Sequence, residues 1–364
     1  MTPSSHKISV FLSFMVIVLA TGLMNHVTIL PPLIGTAKRD AWLSVVLTIV
    51  PMLLWIGLLS YIIKNIHPEP LFSWLKAHFG IGVTLAVKMF MFIYLTSIVL
   101  LTLKDTTGWT KVFYLPQTPV IVIAASFTAV CLFAAISGMR TIGITAGILL
   151  PVVIIFGDFV MSANLPEKNY TLLLPLFEHG WNPVLSGLVY VGGGIAELII
   201  ILQLQQYVRR RIRFIPLLLL GLFLLLLIFG TLTGAIAAFG PDEVAKQRYP
   251  AYEQWRLVTI GKYIRHVDFL SIYQWLSGAL IRIAAAMFLL ADCLSLTKRY
   301  RTIFLLSFSI AIVFFVQLPI GDASMLNFLN RFYFPLSLAS VAVLTLALFL
   351  LVLMAKRRKK GSCA

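Results

Sequence analysis

Glu197 stands in the stretch LVYVGGGIAELII (Leu188 to Ile200), where three consecutive glycines and this carboxylate lie inside an otherwise apolar run. Charge is costly in hydrocarbon, so an acid at that depth marks either a functional group or one half of a structural ion pair. Arg282 and Asp158 stand in two further apolar runs. Arg282 is expected to pair, with Glu197 as its first candidate and Asp158 as the rival, because an unpaired guanidinium there is strongly disfavoured.

The glycines offer a second chemistry. Each costs about 1 kcal/mol relative to alanine inside a helix, so Gly192, Gly193 and Gly194 favour unwinding. Unwound backbone at membrane depth persists only where it is buried in protein or faces a watery cavity. Free carbonyls and helix N-terminal amides in such a cavity grip the ammonium and carboxylate of a small zwitterion. The competing reading is that small residues simply let two helices pack closely. The segment TGLMN (Thr21 to Asn25), which interrupts the first apolar run as GGG interrupts the sixth, tips the balance towards a break. Glu197 lies one helical turn beyond Gly193 and so projects near that break. Tyr94 and Ile98, four apart in the third run, share one face, and the phenol can line a polar cavity. Lys88, near the inner end of that run, is expected to snorkel to the interface.

The elements that position these groups are ten apolar runs, at about 8–31, 41–63, 81–103, 117–137, 142–163, 182–206, 212–239, 267–296, 302–320 and 331–355. Interrupted segments at matching places in two five-helix halves point to an inverted repeat with a binding site at the midplane. The chain of 364 residues is 60% hydrophobic and 12% charged, with a mean hydropathy of +0.97; soluble domains carry about 25% charged residues. The sequence is therefore that of an integral membrane protein forming one transmembrane domain. Its net charge of +16 sits between the apolar runs, where it sets topology and does not indicate nucleic acid. With the N-terminus cytoplasmic, inward segments carry sixteen Lys and Arg against eleven outward, so both termini are expected inside. The last of the inward segments, KRRKK before GSCA, is expected to anchor the tenth run to anionic lipid. Val18-Leu19-Ala20 after Lys7 has the look of a signal cleavage site, but the apolar run continues to Pro31, which favours a retained span.

No catalytic constellation is visible. His6, His26, His67, His78, His179 and His266 are scattered, Cys131, Cys293 and Cys363 form no metal spacing, and GxSxG and Walker-type loops are missing. Neither an enzyme nor a bound metal or cofactor is expected. The connection from Gly240 to His266 is too long for a plain turn and is expected to form short helices that lid the cavity.

Several stretches carry a resemblance: AKRDAWLS (Ala37 to Ser44), FYLPQTPV (Phe113 to Val120), LLLPLFEHGWNPVLSGLVYVGGGIAEL (Leu172 to Leu198) and IGKYIRHVDFLSIYQWLSGALIRIA (Ile260 to Ala284). In this order they resemble the endospore germination permease family, the B subunits of nutrient germinant receptors, within the amino acid, polyamine and organocation transporter superfamily. The resemblance implies a leucine-transporter-like fold of ten helices, with the first and sixth broken, in the inner spore membrane beside A and C partner subunits. It also implies a pocket for a small nutrient, often an amino acid, on Thr21, Gly22, Met24 and Asn25 of the first span, Tyr94 and Ile98 of the third, Gly193, Gly194, Glu197 and Leu198 of the sixth, and Ala285 of the eighth. The chain departs from the family pattern where Ile195 and Ala196 separate Gly194 from Glu197, and where AAAM (Ala284 to Met287) replaces larger or hydroxylic residues; a smaller wall admits a different ligand. A non-catalytic receptor subunit is the leading expectation, and a proton-coupled amino acid or polyamine transporter using Glu197 or Asp158 is the alternative.

Overall fold

Prolines fix where the first span gives way. Pro31 and Pro32 lack the N–H groups that would close α-helical bonds to Val27 and Thr28. In the computed structural model, which describes residues 7–261 and 266–361, the helix Val10–Leu23 accordingly widens into a π-helical turn, Met24–Thr28. Ile29 N donates to Met24 O at 3.0 Å, five residues back, and the chain bends there before the short helix Leu30–Ala37. Thr21 to Leu23 stay α-helical, so the interruption begins at Met24, sharing only Met24 and Asn25 with TGLMN. The tenth span repeats this grammar: Pro335 follows a π turn at Leu329–Tyr333.

The sixth span also departs from regularity, though without unwinding. Gly192 to Gly194 belong to the α-helix Trp181–Ile195, and the tightening to 3-10 geometry begins just after them, at Ala196–Ile200, and recurs at Gln205–Tyr207. The glycines serve close approach. A Cβ on Gly193 would lie 2.8 Å from Phe334 O of the tenth span, and one on Gly194 would overlap Ile29 Cδ1 and lie 2.6 Å from Asn25 Oδ1 of the first. Packing energy across two interfaces thus holds weak helix formers in a helix.

Ten helices among the described residues are long and apolar enough to cross a membrane: Val10–Thr28, Leu30–Ile66, Leu71–Phe113, Val120–Ser137, Met139–Ala163, Trp181–Tyr207, Phe214–Phe239, Leu270–Cys293, Lys298–Val316 and Asp322–Arg358. The third begins earlier than its apolar run because Leu71–Phe113 contains a kink at Gly80, whose φ of 79° suits glycine alone. The eighth is the most enclosed and packs against the first, third, fourth and fifth. Apolar side chains such as Leu54, Ile93, Phe133 and Leu350 cover the outside, and the polar groups Ser44, Thr102, Glu197 and Arg282 are inside, as a lipid solvent requires. His6, Cys363, Lys262, Arg265 and the side chains of Lys359 and Lys360 lie outside the described residues.

The two ends of the bundle are tied differently. At the end holding the N-terminus, Ile8 forms a parallel bridge with Val208, and Asp292 accepts hydrogen bonds from Tyr207 Oη at 2.5 Å and Arg301 Nη1 at 2.6 Å. At the other end, Arg248 pairs with Asp105 at 2.8 Å, and the short helices Pro241–Val244 and Pro250–Leu257 lie in the long connection after the seventh span. Tyr249 Oη donates to the same Asp105, at 3.1 Å. Burial and the adjacent Asp105 carboxylate push its phenol well above the ordinary range.

Candidate functional site

Arg282 and Glu197 meet in the middle of the bundle. Both guanidinium terminal nitrogens donate to the two carboxylate oxygens of Glu197, a bidentate pair in which the side chains are 3% and 1% exposed. Burying two charges costs several kcal/mol per ion unless the remaining donors are also used. Two of the remaining three are: Arg282 Nε donates to Thr102 Oγ1 at 2.7 Å and Nη1 to Ala20 O at 2.7 Å. Tyr333 Oη donates to Glu197 Oε1 at 3.3 Å. Beside the pair, Ser337 Oγ lies 3.1 Å from Tyr94 Oη and donates to Gly193 O at 3.2 Å. The network therefore ties together the first, third, sixth, eighth and tenth spans. Asp158, the other acid considered for Arg282, stands elsewhere.

Beside this centre the first span presents buried polar groups that find no partner among the described residues. The hydroxyl of Thr21 and both side-chain atoms of Asn25 lack a hydrogen bond, although both residues are fully buried. Four residues apart, they share a face, and Asn25 abuts Gly194. Ile98, Leu198 and Ala285 are buried in the surrounding packing. Met24 and Arg282, with Thr102, Asp105 and Thr106, line a space of about 10 Å³, barely room for one water. Between the first and sixth spans there is close packing in place of the open cavity that the glycines imply.

A cavity of about 290 Å³ lies on the other side of the first span. Gly22 and His26 face it, together with Gly157 and Asp158 of the fifth span, Gly230 and Thr231 of the seventh and Gln274 and Trp275 of the eighth. Tyr252, Gln254 and Trp255 of the helix Pro250–Leu257 also line it. Trp255 Nε1 donates to Gln274 Oε1 at 2.9 Å, Gln274 Nε2 to Val153 O at 2.9 Å, and Trp275 stacks on Trp109 at 4.2 Å. Of the sequence candidates, this cavity gathers Gly22 and Asp158. Sequence reasoning passed over His26, Thr102, Tyr333 and Ser337. The only signal for them was a polar side chain in an apolar run, which many structural serines and threonines share.

A family model described as spore germination protein matches residues 7–325. The chain is 39% identical to "Spore germination protein XB" of Bacillus anthracis over 95% of its own length and 98% of that protein's. It is 26% identical to "Putative spore germination protein YfkT" of Bacillus subtilis (strain 168), over 76% and 75% respectively. A bundle of ten apolar helices held by a buried ion pair is thus the framework of a chain that belongs to the spore germination protein family.

Proposed function

We propose that this chain is the non-catalytic membrane subunit of a germinant receptor in the inner spore membrane, working with A and C partner subunits. Its termini are cytoplasmic, and its architecture is the leucine-transporter-like inverted repeat in which the first and sixth spans correspond. The ligand is a small nutrient, an amino acid by its chemistry, taken up between the first, third, sixth and eighth spans. One observation supports this most: Thr21 and Asn25 bury donors and acceptors that have no partner among the described residues, beside the Gly193 and Gly194 backbone and the Glu197–Arg282 pair. An unpaired buried polar group costs about 1–3 kcal/mol, and a zwitterion entering there would recover that cost by pairing with them.

Entry requires the first and sixth spans to part, and the ligand shifts the population only through its preference for the parted state. Parting would convert nutrient binding into signalling or ion release. Asn25→Ala is expected to move the nutrient concentration for half-maximal germination of spores upward at least tenfold, at unchanged receptor abundance by immunoblot. An unchanged dose response would remove the site from this face of the first span. In proteoliposomes under a pH gradient, the receptor reading expects no accumulation of labelled amino acid.

A further inference from the structure

The 290 Å³ cavity is not the nutrient site proposed above, because the first span separates the two: Thr21 and Asn25 face away from the space that Gly22 and His26 line. We infer that it is a second binding site, for a small organic cation carrying a primary ammonium on an apolar stem.

Asp158 carries the argument. Its carboxylate has no hydrogen bond or ion pair among the described residues, and it stands five residues before the end of the helix Met139–Ala163. That is about 7.5 Å along the helix axis, and Asp158 is exposed at the cavity wall, so its carboxylate is open to a cation that enters there. The ammonium of Lys168 is turned onto Met161 O, at 3.1 Å, and does not neutralise it.

The rest of the wall suits a cation with a short tail. None of its lining residues is Lys or Arg, so an amino acid's carboxylate would find no counter-charge beside Asp158. Tyr252, Trp255 and Trp275 supply aromatic surface, which attracts ammonium groups. His26 Nδ1 lies 2.6 Å from Thr231 Oγ1, which donates to Leu227 O at 3.0 Å. When the Thr231 hydroxyl donates to Leu227 O, the His26 ring proton sits on Nδ1 and Nε2 is an acceptor. Leu19, Leu23, Val153 and Leu227 provide the apolar bed for the stem. The volume is at the lower end for small-molecule sites, about 300 Å³ and upward.

Exposed Ile154 and Leu226 form part of the wall, on the fifth and seventh spans. The ammonium could therefore arrive on a free amine or on the headgroup of phosphatidylethanolamine, and the test separates these. Full-length protein in phosphatidylcholine nanodiscs is titrated with butylammonium while tryptophan fluorescence is followed, with 1-butanol and leucine as neutral and zwitterionic controls. Butylammonium is expected to give a saturable change, with butanol and leucine at least tenfold weaker. Asp158→Asn should weaken butylammonium at least tenfold, and Gly230→Leu should abolish saturation by filling the space. A Cβ at Gly230 meets nothing within 4 Å, so that variant tests the site even if Asp158→Asn misfolds. Wild-type saturation in either folded variant, or butanol matching butylammonium, would overturn the inference. Repeating the titration with phosphatidylethanolamine in the disc identifies the source: weaker apparent affinity indicates a competing headgroup, and unchanged affinity a free amine.

Discussion

Arg282→Met is expected to destabilise the folded bundle by about 3–5 kcal/mol, because it strands the Glu197 carboxylate without a counter-charge in a site that excludes solvent. The carboxylate is 1% exposed, and after the change it would keep only the Tyr333 hydroxyl at 3.3 Å among the contacts described above. Ala20 O and Thr102 Oγ1 would lose their donor as well. Glu197→Gln is expected to cost less, since the amide oxygen still accepts from the guanidinium, although the cation is left uncompensated. The double variant Glu197→Gln, Arg282→Met removes both charges and should recover most of the stability, because replacing a buried pair outright is often close to neutral. Unfolding in mixed micelles, followed by far-ultraviolet circular dichroism, measures all three. If Arg282→Met alone unfolds with the wild type, the pair does not hold the five spans together. Spores carrying the stable double variant should still fail to respond to nutrient under the receptor reading, which separates the pair's structural part from its part in signalling.

How much of this was legible in the sequence follows from how local each cause is. The ten spans were readable because hydrocarbon demands long apolar runs, and the chain supplies them with few charges. Pairing of Arg282 was readable for the same reason, since charge at depth needs a partner, but the choice between Glu197 and Asp158 depends on how the sixth and fifth spans pack against the eighth. The glycines misled in one respect. Their propensity favours unwinding, yet Phe334 of the tenth span and Ile29 of the first press against them and hold them helical. The real interruptions were written in the prolines: Pro31 and Pro32 in the first span and Pro335 in the tenth. The cavity was beyond reach of one-dimensional reading, because its wall draws on four spans and a loop helix spread from Val18 to Gly278.

The three glycines give the second large effect, and its order distinguishes packing from unwinding. If they served to unwind the helix, alanine at each position would act alike, adding about 1 kcal/mol of helix propensity. The contacts predict three different outcomes. At Gly192 a Cβ meets only the ends of Leu338, 3.1 Å away, and a flexible leucine can yield. Gly192→Ala is therefore expected to be neutral or slightly stabilising. At Gly193 the obstacle is the backbone oxygen of Phe334, at 2.8 Å, which cannot move without displacing the tenth span. At Gly194 it is Ile29 and Asn25 together, both fully buried at the bend of the first span. Gly193→Ala and Gly194→Ala are each expected to destabilise by about 1–3 kcal/mol, the usual cost of overpacking, measured by the same unfolding titration. Their consequences should then diverge. Gly194→Ala displaces Asn25 and should raise the nutrient concentration needed for germination, whereas Gly193→Ala disturbs the Ser337 bond to Gly193 O and loosens the tenth span. Equal effects at all three positions would mean that close approach is not what places glycine there, and the static contact between the first and sixth spans would lose its claim to be the element that nutrient must open.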